Sequence, residues 1–475
     1  MTPIETDVPA RLDRLPWGRF HWLFVSALGI TWVLDGLEVT VVGAVGNALL
    51  EPETLGLRTE QLGASHTGYL VGAVTGALVF GRLTDRLGRK RLFTVTLLVY
   101  LAGAALTALA WDFWSFAFAR LVTGLAIGGE YAAINSAIDE LIPARVRGRV
   151  DLAVNGTFWL GAILGAGVSV FLLDPALVPL WLGWRLAFGL GAVAAVGMIV
   201  ARQFVPESPR WLVTHGRVGE AEAIVRDIER RSVGAGPLPP AGPPITIVPG
   251  TQIGFRRIAG TLLVKYRSRA VLGLVLIASQ AFFYNGMSFT YPLVLRERFG
   301  VALDRTGLFV LAMAVANLLG PVLLGPLFDI VGRRRMIAGT YAISAVVVAV
   351  GSVLFARGEL TAVTQTALWA GAFFFASAAA SAGYLTVSEI FPVEMRAMAI
   401  ALFYAVGTAV GGALAPLLFG YLLKTGSPWV LACGYWLGAG LMLAAAVAES
   451  VLGIDAERRG LEEIAEPLSA APAPT

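Results

Sequence analysis

The stretch GRLTDRLGRKR, from Gly81 to Arg91, decides how this chain is organised. A long apolar run ends there in a short turn with one acidic and five basic residues, and another apolar run follows at once. The pattern returns as GPLFDIVGRRR, from Gly325 to Arg335, at an offset of 244 residues (325 − 81). Both copies place an aspartate four residues after the first glycine and a Gly-Arg pair just beyond it. The chain is therefore predicted to be a duplication.

A second motif outside this stretch repeats in the same order. The run DELIPARVR (residues 139–147) returns as SEIFPVEMR (residues 388–396), at an offset of 249 residues (389 − 140). VPES, from Val205 to Ser208, has a fainter echo in VAES, from Val447 to Ser450. Self-similarity at a nearly constant spacing is the sequence signature of repeated structural units, and here it predicts two equivalent halves.

Composition places both halves in a membrane. The chain has 475 residues, of which 57% are hydrophobic and 14% charged, which is too apolar for a soluble globular protein. Its apolar segments run for about 20 residues without polar alternation, as helices that cross a bilayer do. The spans are predicted near residues 20–50, 66–84, 92–111, 114–138, 149–173, 184–205, 269–295, 305–329, 335–356, 361–388, 397–423 and 428–449.

The sequence thus predicts an all-α integral membrane protein with twelve transmembrane helices in two six-helix bundles, related by a pseudo-two-fold repeat. The predicted divisions are an N-terminal lead (1–19), a first bundle (20–205), a middle loop with amphipathic helices (206–268), a second bundle (269–453) and a tail (454–475). The lead is expected to be polar and mobile, and the Pro/Gly-rich part of the middle loop irregular. Two amphipathic helices are expected at Gly216–Ser232 and Gly254–Arg269.

The placement of charge predicts the topology. Basic residues are concentrated in alternate loops, so the positive-inside rule predicts that both termini are cytoplasmic. The protein is expected in a plasma membrane, and its composition favours a bacterial inner membrane. Short interhelical loops do not form the exposed basic face that nucleic acid needs. The single cysteine, Cys433, lies in the last span and excludes a disulfide framework.

Four charged residues lie inside spans of the first half, where a charge is costly. Asp35 and Glu38 are three residues apart on one face of the first span, and Arg120 and Glu130 lie in the fourth. Each charge near the bilayer centre costs about 2.5 to 3.5 kcal/mol on insertion scales. A carboxylate that alternates between an apolar and a cationic environment can load and release a proton, and Arg120 is the candidate cation. The residues leave open that Asp35 faces a water-filled mouth, that Arg120 is interfacial and that Glu130 is a structural ion pair.

The motifs taken together resemble the major facilitator superfamily, and within it the sugar porter and related organic-solute branch. The resemblance rests on GRLTDRLGRKR and its repeat, the Arg120-x-x-x-Gly124 span, ELIPARVRG, PESPRWL and SEIFPVEMR. It implies the major facilitator fold, with Glu38 as proton carrier and Arg120 as its partner. In the seventh span, Gln280, Asn285 and Pro292 match the sugar porter pattern.

This chain departs from the sugar porter pattern at positions associated with sugar binding. Ser279 stands where a glutamine is expected, Gly156 follows Asn155 where a glutamine is usual, Tyr384 replaces a tryptophan and Ser381 a proline. Asp35-Gly36 is similar to aromatic-acid symporters, and the run from Gly128 to Tyr131 to metabolite and phosphate symporters. The resemblance therefore implies a small organic solute, sugar-like or an organic anion.

Polar and aromatic side chains within the spans indicate where that solute binds, because transporters place it near the bilayer midplane between repeats. The candidate substrate-binding residues are Gln280, Asn285, Tyr284, Asn155, Trp159, Asn317 and Tyr384. For each of them, an interhelical hydrogen bond or simple packing is the alternative.

The repeated charged motifs are interpreted as a cytoplasmic gate, a set of ion pairs between the halves that closes one end. Its predicted members are Asp85, Arg89, Glu140, Arg147, Glu207, Asp329, Arg333, Glu389 and Arg396. As exposed pairs they would each contribute about 0.2 to 1 kcal/mol, and together enough to separate two conformations. The alternative is that these charges only fix topology.

The resulting hypothesis is a secondary active transporter that works by alternating access, with proton symport as the favoured mode. A facilitator or exporter on the same fold, without proton coupling, is one alternative, and a transporter-like nutrient sensor is another. The sequence contains no metal cluster, nucleophile elbow or phosphate loop, so neither an enzyme nor a cofactor is expected. The expected partners are a small solute, protons and lipid, and a monomer is expected.

Overall fold

Long helices running side by side make up most of the protein in a computed structural model, which describes residues 3–46, 48–232, 238–249 and 254–470. The first half comprises β1 (Ile4–Thr6), α1 (Val8–Asp13), α2 (Arg19–Val45), a 3-10 turn (Ala48–Leu50), α3 (Thr59–Leu87), α4 (Arg89–Ala108), α5 (Phe113–Leu141), α6 (Arg147–Leu172) and α7 (Leu180–Arg202). The connecting segment comprises α8 (Pro209–Thr214), α9 (Val218–Ser232), β2 (Ile245–Ile247), α10 (Phe255–Gly260) and a π-helical turn (Thr261–Lys265).

The second half repeats the arrangement of long helices. It comprises α11 (Arg267–Phe299), α12 (Leu303–Ile330), α13 (Arg333–Ala356), α14 (Ala362–Glu389), α15 (Arg396–Ala409), a π-helical turn (Val410–Leu414), α16 (Ala415–Lys424), α17 (Pro428–Leu452) and the short α18 (Leu461–Ile464). The π-helical turn joins α15 and α16 into one span, Arg396–Lys424. It contains Gly411 and Gly412 and precedes Pro416, which has no backbone N–H to continue a regular ladder.

Ten of the twelve spans in the described ranges are long and apolar enough to cross a membrane on length and composition alone. The other two, α3 and α5, have 29 residues each, which is about 43 Å of helix and more than a bilayer core needs. They are less apolar because they contain charged residues, among them Arg82 and Asp85 in α3 and Arg120 and Glu130 in α5. Both are packed among other helices, so the prediction of twelve helices holds although two have weak hydropathy.

The two charged turns that revealed the duplication have the same backbone conformation. Gly88, between α3 and α4, has φ +97°, and Gly332, between α12 and α13, has φ +110°. Residues with a side chain rarely adopt that region, and a Cβ at Gly88 would also lie 2.2 Å from a Glu207 carboxylate oxygen. The glycine in each repeat is therefore needed for a sharp turn with an acidic side chain packed against it.

The halves contact each other through two equivalent pairs of helices. In one pair α6 packs along α12, and in the other α15 packs along α3. The sequence repeat makes α3 the counterpart of α12 and α6 the counterpart of α15, so each contact is the image of the other under a pseudo-two-fold rotation. α14 adds contacts to α5 and α6 near the same axis. This axis runs between the halves, where the candidate site lies.

The N-terminal lead, predicted to be mobile, is folded onto the connecting segment. β1 pairs antiparallel with β2, with Ile4 opposite Ile247, and Val8 and Leu12 of α1 are buried. Arg11 donates hydrogen bonds to Glu222 and Glu229 of α9. The prediction of a mobile lead was wrong because these few apolar and charged positions have partners more than 200 residues away.

The connecting segment also differs in part from the prediction. The amphipathic helix expected at Gly216–Ser232 is present as α9. Of the stretch expected to be irregular, residues 238–249 include β2, whereas 233–237 and 250–253 lie outside the described residues. The second amphipathic helix is divided into α10 and a π-helical turn that ends at Lys265, and α11 starts as a new helix at Arg267. The predicted domain limits themselves stay predictions.

Candidate functional site

A cavity of about 270 Å³ lies between the halves, near the pseudo-two-fold axis. The first half contributes Trp32, Val39, Tyr69, Leu70, Tyr131, Asn155, Phe158 and Trp159. The second half contributes Gln280, Ala281, Tyr284, Asn285, Ser377, Ala380, Ser381, Tyr384, Tyr404, Thr408 and Gly412. Because both halves form its wall, any relative movement of the halves changes the cavity.

Aromatic rings dominate the cavity wall. Tyr131 lies at the centre of a cluster, with ring centroids 4.4 Å from Trp32, 4.6 Å from Tyr404 and 5.9 Å from Tyr384. On the other side Trp159 and Tyr284 are 5.8 Å apart, with ring planes inclined by 31°. These flat surfaces favour a solute that contains a ring, because a ring can stack on them.

Six of the seven predicted substrate-binding residues line this cavity. Gln280 donates a hydrogen bond of 3.2 Å to the Tyr384 hydroxyl, and the Asn285 amide donates one of 2.8 Å to the Ala281 carbonyl. Asn317 does not line the cavity, but it accepts a hydrogen bond of 2.7 Å from the Tyr284 hydroxyl and so lies directly behind the wall. The role of these residues in binding stays a prediction, although the structure brings them together.

Sequence reasoning missed most of the aromatic wall, including Trp32, Tyr69, Tyr131, Phe158 and Tyr404. In an apolar span an aromatic residue looks like ordinary core packing, whereas an asparagine or glutamine stands out. The available signal was the concentration of tyrosine and tryptophan midway along several spans, since their polar tips need a partner when buried.

Glu38 and Arg120 form a buried ion pair next to the cavity. Arg120 Nη1 donates to Glu38 Oε1 at 2.7 Å, and each side chain is 4% exposed. The guanidinium lies 4.7 Å from the centroid of the Tyr69 ring, which lines the cavity, and Val39 beside Glu38 lines it too. The two residues that the resemblance implied as proton carrier and partner are therefore in direct contact, and the Tyr69 ring lies between Arg120 and the cavity.

Close packing of α3 and α5 places Arg120. A Cβ on Gly128 would lie 1.9 Å from the Ala73 carbonyl oxygen, and one on Gly76 would lie 1.9 Å from that of Leu125. Glycines at a spacing of four have no side chain, so the two helix backbones can pack more closely than residues with a Cβ would allow. The backbones hold Arg120 against Tyr69 and Glu38, so the site is positioned by the helices and not by loops.

The other two charges predicted for proton coupling lie nearby. Glu130 is buried and paired with Arg202, the last residue of α7, which also donates to the Phe93 carbonyl and lies 3.4 Å from Thr31 Oγ1. Asp35 is 2% exposed, and its Oδ2 has no hydrogen-bond partner in the described residues. Sequence reasoning missed Arg202 because an arginine at a helix end is usually a base that reaches the membrane surface.

The residues predicted as a cytoplasmic gate, called the gate residues below, form a buried network with the symmetry of the repeat. Glu140 accepts from Arg89 of its own half at 2.7 Å and from Arg396 of the other half at 3.3 Å. Glu389 accepts from Arg333 of its own half at 2.8 Å and from Arg147 of the other half at 3.4 Å. Each glutamate thus joins two arginines, one from each half.

Two aspartates of the gate bind helix N-termini across the interface. Asp329 accepts from the backbone N–H groups of Gly148 and Arg149 at 3.0 and 2.9 Å, at the start of α6. Asp85 accepts from that of Met398 at 3.0 Å, at the start of α15. An acid at a helix N-terminus satisfies free N–H groups and interacts favourably with the helix dipole. These contacts also cross between the halves.

The gate residues are more deeply buried than sequence reasoning expected. The four gate arginines are at most 1% exposed, so the estimate for exposed ion pairs does not apply to them. The error arose because turns between spans were assumed to face water. In the structure the N-terminal segment, the connecting segment and the tail cover these turns.

Glu207, another predicted gate residue, accepts a hydrogen bond from the backbone N–H of Arg89 at 2.8 Å, at the start of α4. Burial raises the pKa of its carboxyl, while its hydrogen bonds and the charge of Arg89 act in the opposite direction. The equivalent contact in the second half comes from Glu457, which lies against the N–H of Arg333 at 3.4 Å. The similarity of VPES to VAES aligns Glu207 with Glu449, but Glu449 does not make the equivalent contact. Neither of its carboxylate oxygens has a hydrogen-bond partner in the described residues.

Arg210 connects the gate to both chain ends, which the sequence did not predict. It donates to Asp13 at 2.8 Å, to Glu462 at 2.9 Å and to the Glu140 carbonyl at 2.6 Å. Burial lowers its pKa, but Glu462, Asp13 and Glu140 outweigh this and raise it, so the guanidinium stays charged. One side chain thus holds the N-terminal segment, the tail and α5 together.

Comparison with known structures bears on the fold. The proton:xylose symporter XylE, a major facilitator superfamily protein, in complex with 6-bromo-6-deoxy-D-glucose aligns with TM-score 0.75 at 20% identity, over 93% of this chain and 98% of that one. The partially occluded inward-open form of XylE from E. coli aligns with TM-score 0.62 at 20% identity, over 90% and 96%. At this identity the likeness shows the fold alone, and it confirms the predicted twelve-helix major facilitator fold.

Comparison with protein sequences bears on the family. The niacin transporter NiaP of Acinetobacter baylyi is 28% identical over 472 residues, covering 96% of this chain and 99% of that protein. The D-xylose transporter of Levilactobacillus brevis is 24% identical over 383 residues, covering 79% and 80%. The family model described as "Sugar (and other) transporter" matches residues 47–467. A match over that much of the sequence means that the chain belongs to the sugar (and other) transporter family.

Proposed function

We propose that this protein carries a small organic solute across the membrane by alternating access, in symport with protons. One observation carries the proposal: a cavity lined by both halves is closed at one end by a buried ion-pair network that crosses between the same halves. Opening that end requires the Glu140–Arg396 and Glu389–Arg147 contacts to separate, 3.3 and 3.4 Å in the described state. We infer that the described state is the one in which the cytoplasmic side is closed.

Proton coupling rests on the Glu38–Arg120 pair. Protonation of Glu38 would leave Arg120 as a buried cation without its counter-ion, which is strongly unfavourable in an apolar environment. Such a state favours a conformation in which Arg120 meets water or a different anion. The charge state of Glu38 thus biases the conformation, which is what coupling to a proton gradient requires.

The cavity wall supports a ring-containing solute with hydrogen-bonding groups. Its rings offer stacking surfaces, Asn155, Gln280 and Asn285 offer amide groups, and none of the residues lining it is charged. A neutral sugar-like ring could pack against the aromatic rings and form hydrogen bonds with the amide groups. A planar organic acid also fits this wall if its carboxylate reaches Arg120 when Glu38 is protonated. The named relatives, which include a niacin transporter and a D-xylose transporter, span both chemistries.

The test measures external pH with purified protein in weakly buffered liposomes that have no imposed gradient. Sugars and small aromatic acids are added one at a time. A solute-specific alkalinisation that Glu38→Gln removes is expected for proton symport and also identifies the solute class. Protein-free liposomes control for passive entry of the acids. Equilibration of radiolabelled solute without any pH change would contradict symport and favour the facilitator alternative.

The proposal extends to placement in the cell. We place both termini and the gate in the cytoplasm, because the basic residues of the repeated turns lie at that end, and we place the protein in a bacterial inner membrane. One chain contains both halves and the whole cavity, so we propose that a monomer is the working unit. Protease accessibility in inside-out vesicles and the mass of the detergent-solubilised protein test these two statements.

A further inference from the structure

The charges buried at the cytoplasmic gate do not balance. Six carboxylates and four guanidinium groups lie together there, each at most 5% exposed: Asp85, Asp139, Glu140, Asp151, Asp329 and Glu389 against Arg89, Arg147, Arg333 and Arg396. Outside this group, Arg210 pairs with Asp13 and Glu462, Glu207 lies beside Arg89, and Arg82, which also acts on Asp85, is only partly buried. Among the ten buried groups, two negative charges are in excess.

The two acids in excess can be identified as Asp139 and Asp151. Each of the other four has an arginine within 3.3 Å, whereas these two form no ion pair in the part of the chain that the structure describes. Both are 0% exposed, and one oxygen of each, Oδ1, lacks a hydrogen-bond partner among the described residues. Protonation would remove the negative charge that each of these two carboxylates otherwise buries without a counter-ion.

The contacts of the second oxygen connect the pair to both the gate and the cavity. Asp139 Oδ2 accepts from the Ser388 hydroxyl, its own counterpart in the repeat, so it lies on the pseudo-two-fold axis. Asp151 Oδ2 accepts from the Asn155 amide at 3.1 Å, and Asn155 lines the cavity. Asp139 and Glu389 act on Asp151 as negative charges and Arg333 acts on it as a positive one. The two aspartates therefore lie between the cavity and the gate.

We propose that Asp139 and Asp151 form a second proton-binding site, separate from Glu38, which holds protons while the gate is closed and releases them when it opens. An isolated ionised carboxylate is so costly in an apolar environment that such groups are neutralised or paired. Opening admits water to the gate, so that both acids can ionise. This inference rests on the alternating access proposed above but not on the role of Glu38.

Thiol labelling tests the site, because Cys433 is the only cysteine in the sequence. In a Cys433→Ala background, Leu152→Cys places a thiol in α6 at a position that is buried beside Gly325 of α12 in the closed state. Its rate of reaction with a water-soluble maleimide, in detergent and corrected for the reagent's own pH dependence, reports opening of the gate. Radiolabelled solute exchange must persist in this background.

The closed state is expected to bind more protons, so it is favoured at low pH and opening rises with pH. The labelling rate should increase by up to about tenfold per pH unit for each linked proton. In Asp139→Asn/Asp151→Asn the profile should become flat, at the rate that the unsubstituted protein shows at low pH. Glu220→Gln, which alters an exposed carboxylate of α9 that pairs with Arg217, should leave the original profile.

Ser388→Ala provides a second measurement that does not depend on the double variant folding. It removes the hydroxyl that donates to Asp139, so Asp139 holds its proton more tightly and the midpoint of the profile should move to higher pH. A pH profile that is unchanged in both variants would overturn the proposal, as would a flat profile in the unsubstituted protein. If instead solute uptake did not respond to an imposed proton gradient, proton symport would fail while the labelling result still stood.

Discussion

At the scale of single residues, the site depends on charges that are buried in pairs. Breaking a buried pair by removing one partner costs about 3 to 5 kcal/mol, because the other charge is left unpaired. Glu38–Arg120 and Glu130–Arg202 are both of this kind. A neutral substitution at either position therefore changes the energy of one conformation relative to another, and transport assays should detect this more readily than binding assays.

Glu38→Gln should abolish uphill accumulation of solute and leave solute exchange within about threefold of its normal rate, because the amide cannot carry a proton but keeps the size of the side chain. The measurement is radiolabelled solute uptake in liposomes with and without an inward proton gradient, next to counterflow with solute on both sides. Glu38→Asp is the matched control and should retain some gradient-driven uptake. Accumulation that is unchanged in Glu38→Gln would show that another group carries the proton.

Trp159→Ala should weaken solute binding because it removes one side of the aromatic pair with Tyr284. An aromatic contact contributes about 1 kcal/mol beyond burial, so KM or Kd should rise by about fivefold or more, while Trp159→Phe should retain most of the affinity. Counterflow at several solute concentrations measures this. Equal affinity in the Ala and Phe variants would mean that this ring does not contact the solute.

Some of these residues could be predicted and others could not, for a physical reason. Polar residues in an apolar span are costly to bury and therefore indicate a functional site, which is why the sequence identified Asp35, Glu38, Asn155 and Gln280. Tyr131, at the centre of the aromatic wall, was missed, because a single ring in a span is equally compatible with core packing and only the concentration of such rings over several spans indicates a site.

At the scale of elements, helix packing sets the geometry of the site. Gly128→Ala should destabilise the protein by about 1 to 3 kcal/mol or more, because the new methyl group would overlap the Ala73 carbonyl and push α5 away from α3. The apparent Tm in detergent should fall, and gradient-driven uptake with it as Arg120 moves. Gly197→Ala is the control, since a Cβ at Gly197 meets nothing within 4 Å. It should be neutral or slightly stabilising, and an equal loss in both variants would contradict the packing argument.

Docking of the N-terminal segment on α9 should depend on pH. Hydrogen bonds from Arg11 and Arg14 lower the pKa of Glu229, so its contribution is present above its unfolded-state pKa of about 4.3 and is lost as pH falls through the lower folded value. The protection of residues 8–13 from hydrogen exchange, measured relative to the intrinsic rate at each pH, should therefore fall below about pH 4, and Glu229→Gln should lower it at neutral pH. Glu220→Gln is the control, because Glu220 pairs only with exposed Arg217 in the described residues. Equal exchange in all three proteins would mean that apolar contacts alone hold the segment.

At the scale of the whole molecule, the repeat was the strongest signal in the sequence, and it predicted the architecture. The 244-residue offset between Gly81 and Gly325 placed two charged turns in equivalent positions, and in the structure Glu140 and Glu389 each link one of these turns to an arginine of the other half. The sequence could not show that these charges are buried, since burial depends on chain segments distant in sequence. It also could not find the true counterpart of Glu207, because Glu457 occupies an equivalent place in space from a different place in the repeat.

The symmetry of the gate leads to a final prediction about the conformational equilibrium. Glu140→Gln and Glu389→Gln should each favour the open cytoplasmic side, and by similar amounts. Each glutamate binds one arginine from each half, so each substitution removes one ionic link between the halves. The expected cost of about 3 to 5 kcal/mol in the closed state is enough to reverse a preference of a few kcal/mol. The two variants should therefore populate the same open state.

Spin labels at exposed Lys90 and Arg335, introduced as cysteines in a Cys433→Ala background, measure this opening by pulsed electron paramagnetic resonance. The distance between them should lengthen in both variants and stay unchanged in Glu220→Gln, which alters a surface pair worth little. If only one variant opened the gate, the two bridges would differ in energy despite their matching geometry. The asymmetric surroundings, with Arg210 and Glu207 on one side and Glu457 on the other, would then decide which bridge breaks first.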